Sequence, residues 1–206
     1  TGLGGMNVNN TGCSAFQRGI DWIGFATGFS GYKASRIGAE DCCYRGNQTQ
    51  GTSCTTITDA YFFRCTADAS YNGDGFVYSS SGVALEVDCV GNSNGYSGAH
   101  TSNGSTAHGA TVIRCGGVYL NSKGPNVADV VSSKSLTLGA RIGTSRGAGV
   151  QSTNVASDGA TGKMWLADCL LSGATYDLYA LNAGSTIYTR NTGYGATTGT
   201  GTVSTW

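Results

Sequence analysis

Five short segments of this chain repeat one pattern: apolar or small residues at alternate positions, a charged or small residue, then usually cysteine. They are Tyr61-Phe62-Phe63-Arg64-Cys65, Leu85-Glu86-Val87-Asp88-Cys89, Thr111-Val112-Ile113-Arg114-Cys115, Leu136-Thr137-Leu138-Gly139-Ala140 and Trp165-Leu166-Ala167-Asp168-Cys169. Asp41-Cys42 precedes the series and Ile187-Tyr188-Thr189-Arg190-Asn191 follows it, at successive spacings of 23, 24, 26, 25, 29 and 22 residues. Alternation with period 2 indicates strand, and recurrence every two dozen residues indicates stacked units that bury their apolar face only against one another. The expected architecture is all-β: a parallel β-helix of about six or seven coils.

Composition agrees with a solenoid and excludes several alternatives. Charged residues make up 12% of the 206, about half the usual share, with 34 glycines and one proline. Apolar residues reach 39% and recur periodically, which a disordered chain does not do. Twelve basic and twelve acidic residues are thinly spread, so no stripe marks a nucleic-acid partner. No apolar run is long enough for a helical membrane span, and no signal peptide is visible at Thr1. A beginning of Thr-Gly-Leu-Gly-Gly without Met reads as a piece processed or cut from a longer chain.

Residues 1–36 are expected to form a cap or a first irregular coil, and 37–206 the helix domain with its end segment. Second strands are expected nine or ten residues after each cysteine position, at Asp74–Tyr78, Gly98–Thr101, Ala148–Gln151 and Asp177–Ala180, with Gly/Asn-rich corners between. The longest spacing holds Ser152–Gly159, read as a surface loop. The residue before each cysteine is expected to point outward, giving a column of Asp41, Arg64, Asp88, Arg114, Gly139, Asp168 and Arg190. Opposite charges on neighbouring rungs of such a column stabilise a sheet by a few tenths to about 1 kcal/mol per pair.

Cys65, Cys89, Cys115 and Cys169 are read as one interior ladder of free thiols. Equivalent sites on successive coils sit about 4.8 Å apart with parallel side-chain vectors, which do not readily supply the disulfide torsion near ±90°. Cys42, Cys43 and Cys54 lie close enough to leave a bridge open, and Cys13 has no assigned place.

The repeats, and above all Asn72-Gly73-Asp74-Gly75-Phe76 after Arg64-Cys65 with its echo Asn94-Gly95-Tyr96-Ser97-Gly98 after Asp88-Cys89, resemble the right-handed parallel β-helix of bacteriophage tailspikes and the pectate-lyase-like superfamily. The resemblance covers about residues 37–191. It implies a homotrimer on a virion or another extracellular surface, meeting a cell-surface polysaccharide. The fold hosts lyases, hydrolases and pure adhesins, so chemistry must come from a site.

Asp74, Glu86 and Asp88, with His100 one coil on and Arg64 and Arg114 flanking, are the candidate acids and bases. Glycoside hydrolysis needs two carboxylates at about 5–5.5 or 6.5–9.5 Å, while a lyase needs a base beside a cation. Asp68, Asn72 and Asp74 would offer oxygens to Ca²⁺, although the spacing is not that of an EF-hand and a plain Gly/Asn corner explains it as well. Gly143-Thr144-Ser145-Arg146-Gly147 matches G-x-S-x-G, but both histidines precede the serine and no helix follows. His100 and His108 lack a zinc pattern, and no cofactor motif is present. Tyr71, Tyr78, Tyr96 and Tyr119 are candidate sugar-stacking rings, and the same aromatics would equally suit an interface between chains. The expected function is an extracellular recognition module binding cell-surface polysaccharide, with a polysaccharide-degrading enzyme and a structural or adhesive rod as rivals.

Overall fold

The computed structural model describes residues 5–68, 70–79, 82–92, 94, 103–120, 123–124, 128–143, 146–147, 153–157, 159–172 and 174–206. These residues contain no helix, and every paired strand runs parallel to its neighbours in a β-solenoid of about seven turns. Each coil contributes three strands, so the stack has three faces.

The first face is formed by Ser14–Arg18, Arg36–Glu40, Asp59–Phe63, Val83–Val87, the second halves of Ser105–Cys115 and Ala128–Leu138, then Lys163–Ala167, Thr186–Arg190 and Thr202–Thr205. The second face is a seven-stranded sheet of Asp21–Ile23, Cys43–Arg45, Thr66–Asp68, Val90–Asn92, Val118–Leu120, Arg141–Gly143 and Leu170–Ser172. The third runs from Met6–Val8 through Thr27–Tyr32, Gln50–Thr55 and Phe76–Ser79 to Tyr176–Ala180 and Thr197–Gly199. Thr153–Ser157 belongs to it as a strand paired with Ala128–Leu138 and Tyr176–Ala180, so the expected loop at Ser152–Gly159 is corrected. Within residues 1–36, Ser14–Tyr32 already supplies one strand to each face.

The corner between the first and second faces sets the register. Gly19, Asp41, Arg64, Asp88, Gly116, Gly139, Asp168 and Asn191 all have positive φ, between 45° and 69°. This left-handed turn is easy for glycine, tolerated by Asp and Asn, and costly for most other residues. The residue after it turns inward: Cys42, Cys65, Cys89, Ala140 and Cys169 are buried there. All eight cysteines are free thiols.

Two expectations fail at one coil. Gly116-Gly117, rather than Arg114-Cys115, takes the corner, because Asp88 N–H donates to Cys115 O and Gly116 N–H donates to Leu138 O. Cys115 therefore lies on the outer surface of the first face and is not a step of the interior ladder. Arg114 pairs with Glu86 and Thr137 in an inward column and is fully buried. At the last coil Asn191, not Arg190, holds the corner. The outward charge column survives at Arg64, whose Nε lies 2.7 Å from Asp41 Oδ1 and whose Nη2 lies 2.6 Å from Glu40 Oε1.

The interior divides into two apolar clusters. The first holds Phe29, Ile37, Tyr44, Phe62, Phe76 and Tyr78 with the thiols of Cys42, Cys54, Cys65 and Cys89. The second holds Val130, Ile142, Met164, Leu166, Leu178 and Ile187. Between them lies a polar layer built from Glu86, Ser105, Arg114 and Ser132, closed by Tyr119.

Candidate functional site

The corner between the second and third faces positions the polar groups best placed to meet a ligand. Asn47 and Asn94 are buried there two turns apart, with Ser70 on the turn between them. Asn47 accepts from Phe25 N–H at 2.9 Å, and Asn94 accepts from Ser70 N–H at 3.1 Å while donating to Ala67 O. These amides satisfy backbone groups that a turning chain leaves unpaired, and so hold the corner rigid. Tyr71 is carried on this corner by N–H donation to Asn47 O at 2.7 Å, and Asn72 by donation to Gln48 O. Its side chain is 46% exposed.

Beside it, the outer surface of the second face carries polar groups in its first coils, alongside Ile23, which is 61% exposed. Arg45 Nε stands 3.6 Å from Asp68 Oδ2, with Asp21, Thr66 and Asn92 in the flanking outward positions. Asp68 is thus held by an arginine on the preceding rung. No group of three metal-ligating side chains occurs among the described residues.

Asp74 sits at the entrance to the third face, partly buried. It accepts from Asn103 N–H at 2.6 Å and from Asn103 Nδ2 at 3.2 Å. Burial raises its carboxyl above the ordinary value, opposed by these hydrogen bonds. Asn103 in turn accepts from Ala128 N–H, so Asp74 anchors one coil to the next. Gly73, just before it, has no room for a side chain, since a Cβ there would reach Thr49 O at 1.5 Å.

The other candidate acids do not join Asp74 in an open cleft. Glu86 is inside the coil with no exposure; it accepts from Ser105 Oγ at 2.7 Å and from the Tyr119 hydroxyl. Asp88 is exposed on the left-handed corner, pointing away from the interior that Glu86 occupies. His100 and Tyr96 lie outside the described residues. Tyr78 and Tyr119, expected as surface rings, are 1% and 0% exposed. They face inward because their strand positions alternate into the core, and burial raises both phenols well above their ordinary value. Of the four candidate sugar-stacking tyrosines, Tyr71 alone is described with an exposed ring.

The sequence reading missed the buried Glu86–Arg114 pair and a second, apolar outer surface. Phe16, Tyr61, Leu85, Ile113, Leu136, Trp165 and Tyr188 form one outward column on the first face. Phe16 stacks on Tyr61 at 6.0 Å across Gly38, and Trp165 on Tyr188 at 5.2 Å. Alternation alone would have found this column had the first residue of each repeat been followed instead of the fifth, with Ile113 taking that place in the repeat whose register is shifted by two.

No protein-family model matches the chain, and no curated protein matches it. The functional reading therefore rests on the fold and on these surfaces.

Proposed function

We propose that the protein is an extracellular recognition module that binds cell-surface polysaccharide without cleaving it. The observation that carries this reading is the exposed ring of Tyr71 on a rigid corner beside the outward Arg45–Asp68 pair, Thr66 and Asn92. An aromatic face stacks against the apolar face of a sugar ring. Amides, hydroxyls and charged groups at rung spacing exchange hydrogen bonds with its hydroxyls. A straight solenoid repeats such groups about every 4.8 Å, which suits an extended polymer better than a small ligand. A setting in a phage tail fibre or tailspike, on a virion or other extracellular surface, follows from the resemblance of the repeats.

The enzyme alternative draws less support from the same geometry. Glu86 is enclosed with Ser105, Arg114 and Tyr119, Asp74 is engaged by Asn103, and Asp88 stands alone on its corner. General acid–base work requires a carboxylate within hydrogen-bond reach of the substrate, and Glu86 has no surface to offer one.

The test is retention on a panel of immobilised bacterial capsule and lipopolysaccharide glycans, with products assayed as new reducing ends and unsaturated sugar termini. Retention of the parent, weakened in Tyr71→Ala, with no products, is the expected result. Product release would replace this reading with an enzyme, and absence of retention on every glycan would leave the rod.

A further inference from the structure

The outer surface of the first face is apolar along nearly its whole length. Beside the column from Phe16 to Tyr188 runs a second outward column of Phe63, Val87, Cys115 and Leu138, parallel to it and two residues along each strand. Val83 adds a further apolar residue, 47% exposed, and Phe16 is 51% exposed. Soluble monomers rarely leave so long a contiguous apolar patch in water. A glycan is a poor occupant, since these positions carry few hydrogen-bonding groups.

The two edges of this stripe carry charge in a definite relation. At one edge the strands begin with Arg36, Asp59, Lys134 and Lys163. At the other they end at Arg18, at Glu40 and Asp41, at Arg64, at Asp88, at Gly139, at Asp168 and at Arg190. Coil by coil the edges are opposite in sign where both are charged: Arg36 against Glu40 and Asp41, Asp59 against Arg64, Lys163 against Asp168. Lys134 and Lys163 are register partners on adjacent rungs, so two cations stand side by side at one edge. Like charges directly opposite each other destabilise a sheet.

We propose that the first face is the self-association surface of this protein, occupied by another copy of the chain in a parallel, in-register cyclic assembly. Rotation about an axis parallel to the solenoid brings the strand-start edge of one copy against the strand-end edge of its neighbour at equal height. Lys163 then meets Asp168 of the other copy, while the Arg36–Asp59 pair, 3.2 Å apart within its own chain, faces the cluster of Arg64 with Glu40 and Asp41 on the other. An antiparallel face-to-face pairing sets like edges together and loses this match. The occupant is also matched in length. Nine strands span about 40 Å, and the stripe with its edges covers roughly 700 Å² in projection, close to the roughly 800 Å² per partner of a standard interface. This inference stands apart from the glycan reading, which uses the second face and its corner.

The experiment is native mass spectrometry and sedimentation of the full chain at micromolar concentration, with strand content followed by circular dichroism. The expected result is a particle of more than one chain. Ile113→Lys, on the outer surface, should give monomers with the strand signal retained. Lys163→Asp should raise the dissociation constant several-fold, and the exchange Lys163→Asp with Asp168→Lys should restore it, because the complementary pair is rebuilt across the interface with its signs reversed. A monomeric parent, or a folded Ile113→Lys protein that still assembles, overturns the proposal. A double exchange no better than Lys163→Asp alone overturns the parallel register.

Discussion

Asp88 and Gly116 occupy the same left-handed corner on successive coils, and a Cβ built on Gly116 would reach Asp88 Oδ1 at 2.2 Å. A Cβ on Gly117, at φ 90°, would lie only 2.7 Å from the backbone Cys89 O, which explains why the corner after Arg114-Cys115 is a glycine pair and not another Asp-Cys. Left-handed geometry at Asp88 costs roughly 1–2 kcal/mol relative to glycine. Asp88→Gly should therefore raise stability by about 1 kcal/mol, whereas Gly116→Ala should lower it. Chemical denaturation of the two variants checks the pair of signs.

The interior thiols make the fold sensitive to alkali. Burial pushes the Cys65 thiol up to about 12 from its ordinary 9.0, and Cys54, Cys89 and Cys169 shift in the same direction. Between about pH 9 and pH 12 the unfolded chain gives up thiol protons that the fold retains, so stability present below pH 9 is lost as pH rises through that window. Urea midpoints measured from pH 8 to 11 should fall, and Cys65→Ala should make the fall shallower. An identical slope in Cys65→Ala would count against the inward thiol.

Gly38 leaves space for the stack of Phe16 on Tyr61. A Cβ there would come within 2.1–2.6 Å of the Tyr61 ring. Gly38→Val should displace that ring and cost about 1–3 kcal/mol, the usual range for overpacking. Val in place of Ser204, in the same outward column at the far end, should change the melting temperature far less.

A charge at the cysteine ladder is the harsher test of inwardness. Cys89 is fully buried and its Sγ donates to Phe62 O at 3.3 Å. Cys89→Asp would bury a second carboxylate within reach of Glu86 and should destabilise strongly. Cys115→Asp, on the outer surface, should melt close to the parent as a monomer.

The solenoid was legible because alternation and a two-dozen-residue period recur together, and stacking is the way such units bury their apolar side. The coil at Thr111–Cys115 was misread for a specific reason. Arg114-Cys115 mimics Arg64-Cys65 in letters, but the feature that fixes register is the left-handed corner, and Gly116-Gly117 meets that need better than an arginine. With the two-residue offset restored, Arg114 falls under Glu86 and a buried charge gains its partner. The strand at Thr153–Ser157 was missed because its Thr, Asn and Ser content reads as loop, while its pairing to both neighbouring coils overrides that composition. Tyr78 and Tyr119 carry no sequence mark separating an inward from an outward tyrosine: inside, the Tyr119 hydroxyl meets Glu86, while that of Tyr78 finds no hydrogen-bond partner among the described residues. The apolar outer column was present in the letters throughout, and its meaning needed the register to be fixed first.

The stacking of Glu86 on Arg114 is the register stated in two residues, and a double-mutant cycle measures it. Arg114 Nε lies 3.7 Å from Glu86 Oε1, both fully buried, and Ser105 Oγ bridges them. Removing one partner leaves a buried charge uncompensated, a loss of about 3–5 kcal/mol, while replacing both by apolar residues of similar volume is near neutral. Glu86→Leu and Arg114→Met should each destabilise strongly, and the double variant should recover most of the loss. Additive losses in the double variant would contradict the register, and with it the placement of every corner and face described above.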